Sequence, residues 1–262
     1  MYEQMHVSIP DIDAYLERIG LTNPLSPDLD TLNRLIYHHH THIPFEDLNS
    51  SLLHESVSLD IPDLYDKIIT RRRGGYCFEM NALFCRLLRD LGFNAYLVFC
   101  RIIRGRDFIP PCTHCAVIVT LDKKQYFCDV GYGGPMPAGA MLIADKNTQV
   151  IHEEPFHIEQ YDAYWWTLSR TTSDGQIEKL MQFNTFPQTP QEFLAANLKS
   201  STSPDSVFVN KVLVNLRADN GSYALTDWEL TIREGGDTII TQLADESQRR
   251  RALQMYFGIV LP

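Results

Sequence analysis

The sequence predicts an α+β fold in three successive parts: helical at the N-terminus, strand-rich in the middle, and a smaller α/β part at the end. Three observations carry this. Apolar residues recur at helical spacing through the first part, ending in Met80, Leu83, Phe84, Leu87, Leu88 and Leu91. From Asn94 onward the apolar period changes to two, as strands require. A Ser-, Thr- and Pro-rich stretch over 200–206 then reads as a linker before short strands and a last helix. The parts are drawn at 1–92, 93–200 and 201–262.

The elements follow in order. Asp11 to Ile19 carries Ile12, Tyr15, Leu16 and Ile19 on one face, with Gly20 as a stop. Ser26-Pro27 opens a second helix as N-cap and first helical residue, and His38-His39-His40-Thr41-His42 closes it. Ile43 to Asn49 is a proline-interrupted loop, and a short helix runs from Asp60 or Pro62 to Ile69. Asn94–Ile103, Cys115–Leu121 and Gln125–Val130 are strands, the last two joined by a turn at Lys123-Lys124. Phe156–Gln160, Tyr164–Ser169 and Ile177–Asn184 continue the pattern, with Asp174-Gly175 as a hairpin turn. Thr189-Pro190-Gln191-Glu192 has capping-box spacing and starts a helix to Lys199. Strands over 207–216, 222–225, 229–233 and 238–243 precede a final helix from Asp245 to Gly258.

Composition excludes several classes of function. A net charge of −10 disfavours nonspecific binding to nucleic acid or an anionic membrane. No apolar run approaches the ~20 residues that a membrane helix needs. The N-terminal stretch lacks the basic and apolar regions of a signal peptide, which points to the cytoplasm. All six cysteines fall between positions 77 and 128 and are expected as thiols.

The chemistry centres on Arg71-Arg72-Arg73-Gly74-Gly75-Tyr76-Cys77-Phe78-Glu79. Cys77 falls in the first turn of the predicted helix, where free backbone N–H groups and the positive dipole end favour a thiolate. A cysteine nucleophile needs an imidazole to take its proton and a third group to hold the imidazole. His114 opens the strand after the helix, and Asp129 ends the next one. Around a turn centred near 123, position 114 pairs with 131 or 132, which brings His114 and Asp129 to one face. Metal sites compete for the same residues. Cys112-Thr113-His114-Cys115 is a single C-x-x-C, whereas structural zinc uses two tight pairs, and His38 with His42 lacks further ligands. No metal is therefore expected.

Together these motifs resemble the arylamine N-acetyltransferase family, in its bacterial form. The resemblance is carried by Asp11–Gly20, Ile43-Pro44-Phe45-Glu46-Asp47-Leu48-Asn49, Arg73–Glu79 with Asn81, Thr113-His114 and Asp129-Val130-Gly131-Tyr132-Gly133. It implies a helical bundle, a central antiparallel β-barrel-like domain and an α/β lid around a papain- or transglutaminase-like Cys-His-Asp core. It also implies acetyl-CoA as co-substrate and an arylamine, arylhydrazine or N-hydroxyarylamine as acceptor, by a ping-pong route. Cys77 would carry the acetyl group, His114 would move the proton and Asp129 would hold His114. Phe45 and Tyr132 would line the acceptor pocket, and Gly131 and Gly133 would let backbone N–H groups approach the cofactor. Arg18, Glu46 and Arg73 would form an ion-pair cluster bracing the cysteine loop. Pro110-Pro111 stiffens the approach to His114. The triad order alone leaves open a cysteine hydrolase or transglutaminase, or an amide synthase acting on a carrier-bound chain. The oligomeric state is likewise open.

Overall fold

The computed structural model describes residues 2–23, 25–144 and 147–261. Helices α1 (Ile12–Arg18), α2 (Leu29–His42), α3 (Ile61–Tyr65) and α4 (Cys77–Asp90) form the first part. The Asp11 carboxylate caps α1 by accepting from the Ala14 N–H (3.0 Å), and Asp28 caps α2 by accepting from Thr31 (2.8 Å). The second helix thus starts beyond Ser26-Pro27, because Asp28 offers the better-placed acceptor. α3 passes directly into a wider turn over 66–70, closed by the Arg71 N–H on the Asp66 carbonyl (2.8 Å). α4 ends as its apolar pattern predicts: Gly92 takes φ +91°, and the Phe93 N–H reaches back to the Leu88 carbonyl (2.9 Å). Leu83, Phe84, Leu87 and Leu88 of α4 are buried against Leu32, Leu35 and Ile36 of α2 and Leu64 of α3 in one core.

Among the strands, β1 (Phe45–Glu46) lies between α2 and α3. β2 (Asn94–Ile102), β3 (His114–Leu121), β4 (Lys124–Cys128) and β5 (Met141–Leu142) follow α4. Then come β6 (Gln149–Ile151), β7 (Glu154–Gln160), β8 (Trp166–Thr171) and β9 (Ile177–Phe183). β2 to β9 make one eight-stranded antiparallel sheet in the order β5-β4-β3-β2-β9-β8-β7-β6. Its two edges are joined by a side chain. The Gln149 amide accepts from the Leu142 N–H (2.8 Å) and donates to the Leu142 carbonyl (2.9 Å), as a neighbouring backbone would. The sheet is thereby barrel-like, and Val98, Ile118, Phe127, Phe156, Leu168 and Phe183 fill its interior.

α5 (Leu194–Thr202) follows the sheet, and the last part is built from α6 (Val207–Asn210), β10 (Leu213–Ala218), β11 (Gly221–Thr226), β12 (Glu229–Glu234), β13 (Asp237–Gln242) and α7 (Glu246–Phe257). β1 joins its sheet in the order β1-β10-β11-β12-β13, which stitches the N-terminal part to the C-terminal one. Three expectations fail here. The 200–206 linker is partly helix: Ser200 and Ser201 are buried, and the Ser201 hydroxyl donates to the Asn197 carbonyl (2.9 Å). The strand expected over 207–216 begins as helix, since the Ser206 hydroxyl caps α6 by accepting from the Phe208 N–H (3.2 Å). Nor does Thr189 form its capping box; a tight turn over 190–193 leads into α5 instead. No helix among the described residues is long and apolar enough to cross a membrane.

Candidate functional site

Cys77 is the first residue of α4 and is buried. The Glu79 carboxylate turns back to accept from the Tyr76 N–H (3.0 Å), which fixes how the chain enters the helix. The Tyr76 ring is pinned in turn through its hydroxyl on Asn197 of α5. The preceding loop is held by buried charges. Lys67 bridges Glu79 (2.7 Å) and Glu46 (3.5 Å), and Arg73 binds Glu46 (2.7 Å) and the Asn49 amide oxygen (2.8 Å). The expected cluster of Arg18, Glu46 and Arg73 is therefore corrected in membership. Arg18 donates to the backbone carbonyls of His42 (2.5 Å), Ile68 (3.4 Å) and Arg72 (3.4 Å), and Lys67 and Glu79 take its place.

His114 begins β3, opposite Cys100 of β2. On its other side β3 pairs with β4 in the register Val117↔Cys128, so continuing the ladder sets His114 against Gly131 with Asp129 on the same face. The contact is direct: His114 Nε2 lies 2.5 Å from Asp129 Oδ2, with both side chains buried. The other carboxylate oxygen accepts from the Asn81 amide (2.9 Å) and the Gly131 N–H (2.8 Å). Asn81, one turn along α4 from Cys77, also donates to the Cys115 carbonyl (2.7 Å) and accepts from the Val130 N–H (3.0 Å). It ties the cysteine helix to both strands. His40 completes the support by donating from Nε2 to the Asp129 carbonyl (2.8 Å). Its burial pushes its pKa down to about 4 and keeps it neutral.

The electrostatics favour a charged pair. Burial opposes charge on His114, but the Asp129 carboxylate and the Cys77 sulfur outweigh it by charge and hydrogen bonding, raising its pKa to about 10. Burial would likewise raise Asp129, yet the His114 charge and the Asn81 and Gly131 donors hold its carboxyl below the usual range. With Nε2 engaged by Asp129, His114 Nδ1 is the ring nitrogen left for the thiol; the Cys77 Sγ itself donates to the neighbouring Thr113 carbonyl (3.8 Å), and its closeness adds to the raised His114 pKa.

The other expected site residues gather at the same place. A cavity of about 660 Å³ opens over Cys77 and His114 and is walled by Phe45, Tyr132, Gly131 and Gly133. The Tyr132 ring stands edge-on to His114 at 5.8 Å, and Phe45 packs against Phe208 at 6.1 Å. The glycines serve packing. A Cβ on Gly131 would fall 2.7 Å from the Cys77 Cα, and one on Gly133 would fall 2.6 Å from the Phe45 ring. The Gly131 N–H is engaged by the Asp129 carboxylate. The sequence motif included Asn81 without giving it a role, and the parts played by Lys67 and His40 were missed; Asn81, four residues after Cys77 on the same helical face, carried the readable signal. Among the described residues no group of His, Cys, Asp or Glu is arranged to hold a metal ion.

The N-acetyltransferase family model matches residues 28–262. The arylamine N-acetyltransferase of Escherichia coli (strain K12) is 30% identical over 254 residues, spanning 95% of this chain and 89% of the relative. The chain belongs to the arylamine N-acetyltransferase family. It is accordingly an acyltransferase. The solved arylamine N-acetyltransferase from Salmonella typhimurium matches with a TM-score of 0.90 at 28% identity, over 97% of this chain and 92% of that one. The Mycobacterium marinum enzyme in complex with CoA matches with a TM-score of 0.87 at 29% identity, over 95% of this chain and 93% of that one.

Proposed function

We propose that the protein moves an acetyl group from acetyl-CoA to an arylamine, arylhydrazine or N-hydroxyarylamine through a thioester on Cys77. The observation that carries this is the buried Cys77–His114–Asp129 line at the floor of a cavity walled by Phe45 and Tyr132. The Cys77 thiolate attacks the thioester carbonyl, the C–S bond to CoA breaks, and the departing CoA sulfur takes the proton from His114. The amine then attacks the Cys77 thioester, passes its proton to His114, and the C–S bond to Cys77 breaks. Asp129 contributes through His114, by stabilising the imidazolium and fixing its tautomer.

An aromatic amine is weakly basic and stays neutral near pH 7, so it remains a nucleophile while aliphatic ammonium groups do not. The aromatic walls of Phe45 and Tyr132 offer such a ring edge and face contacts. Six free cysteines and a thiol-dependent route fit a reducing compartment, which supports a cytoplasmic setting. Steady-state kinetics with both substrates varied test the reading. Parallel double-reciprocal lines are expected, with turnover abolished in Cys77→Ala. Intersecting lines, or rapid acetyl-CoA hydrolysis without acceptor, would instead indicate a ternary complex or a hydrolase.

A further inference from the structure

Behind the Phe45–Tyr132 wall lies a second cavity, of about 640 Å³, which Cys77 and His114 do not line. Phe45, Arg104, Tyr132, Gly133, Gly134 and Asn215 form the partition that it shares with the acetylation cleft, so that Arg104 borders both cavities while Arg170, Arg217 and Arg233 line this one and not the cleft. Its lining brings together Arg104, Arg170, Arg217 and Arg233, with Glu154 and His40. These arginines come from the β2–β3 connection, β8, β10 and β12, so the cluster is a product of the tertiary fold.

Their charge is incompletely balanced. Arg104 and Arg170 share one carboxylate, Glu178, at 2.7 Å each. Arg217 binds Glu154 (2.9 Å) and the Met136 carbonyl (3.0 Å). Arg233 has no ion pair among the described residues and is exposed. Four guanidiniums thus stand against two carboxylates, in a chain whose net charge is −10. His40 is neutral and engaged with Asp129, so it adds neither charge nor repulsion. Guanidinium forks match carboxylate and phosphate oxygens in pairs, and the volume lies in the range of small-molecule sites. Mutual repulsion makes such a gathering costly unless an anion joins it.

We propose that this cavity is a second ligand site, separate from the acetylation cleft, for a small multivalent anion bearing phosphate or carboxylate groups. Because Tyr132 belongs to both cavities, an anion bound there lies against the back of the wall that faces His114.

Calorimetric titration with inorganic pyrophosphate at low ionic strength tests this. CoA carries phosphates of its own, so the titration is run without and with saturating CoA, on the wild type, Arg217→Gln and Arg233→Gln. Pyrophosphate is expected to bind with CoA present, and each substitution is expected to weaken it by about tenfold, the worth of one charge-assisted contact. Arg233 makes no ion pair, so its variant keeps the fold even if Arg217→Gln does not. Citrate is titrated alongside; either anion binding under these conditions supports the site, and their ranking identifies the head group. Absence of binding by both, displacement by CoA, or undiminished affinity in Arg233→Gln would overturn the proposal.

Discussion

Replacing Glu46 by Gln tests how the fold holds its cysteine loop. Glu46 is fully buried, and its carboxylate meets Arg73 at 2.7 Å, Lys67 at 3.5 Å and the Leu48 N–H at 2.7 Å. Burial alone would raise its pKa, but the Lys67 and Arg73 charges and the Leu48 donor outweigh burial and hold it below the usual value. The substitution keeps size and shape, removes the charge and turns an NH₂ toward existing donors. Leaving a buried cation uncompensated costs about 3–5 kcal/mol. The lower end applies, since Glu79 still faces Lys67 and Asn49 still accepts from Arg73. At roughly 2–4 °C per kcal/mol for a chain of this size, the melting temperature should fall by about 6–12 °C. Thermal unfolding followed by circular dichroism reads this, and acetylation at 25 °C reads the loop. An unchanged melting temperature with full activity would refute the role given to the network.

Three further outcomes follow from the same geometry. Asn81→Ala removes a donor to Asp129 and the link from α4 to both strands. It should lower kcat by about 100-fold while KM for acetyl-CoA changes little, as expected for misplacement of the proton carrier; a loss confined to KM would speak against it. The His114 pKa is raised in the folded state from 6.5 to about 10. A raised pKa stabilises fully below the unfolded value and is lost as pH climbs through the folded one. The stability advantage of wild type over His114→Gln should therefore hold up to about pH 6.5 and fade by about pH 10, in urea titrations run across that range. Asp129 is depressed, so its contribution has the opposite sense: present above its unfolded pKa and lost in acid as pH falls through the folded one. An Asp129→Asn variant should accordingly converge with wild type in acid.

How much of this was written in the sequence depends on how local each contact is. The His114–Asp129 pair was readable because a short turn fixes the pairing of its two strands, and the observed register puts 114 against 131. The start of α4 was readable from its apolar stripe and the glycines around it. Contacts between distant segments were not. β1 pairs with β10 across the length of the chain, and no periodicity in either strand names the other. Lys67 looks like a solvated helix residue until Glu46 and Glu79 arrive from either side. Val207-Phe208-Val209 has strand-like composition, but the Ser206 cap turns it into helix. Arg18 shows that residue type alone does not choose a partner: carbonyls at a loop end claimed the guanidinium expected for Glu46.

The most direct measurement is the intact mass of the protein after mixing with acetyl-CoA and no acceptor. One added acetyl group is predicted, absent in Cys77→Ala and discharged by an aromatic amine with release of the acetylated product. A protein whose mass is unchanged while acetyl-CoA is still consumed with an amine present, or an adduct that survives Cys77→Ala, would contradict transfer through Cys77.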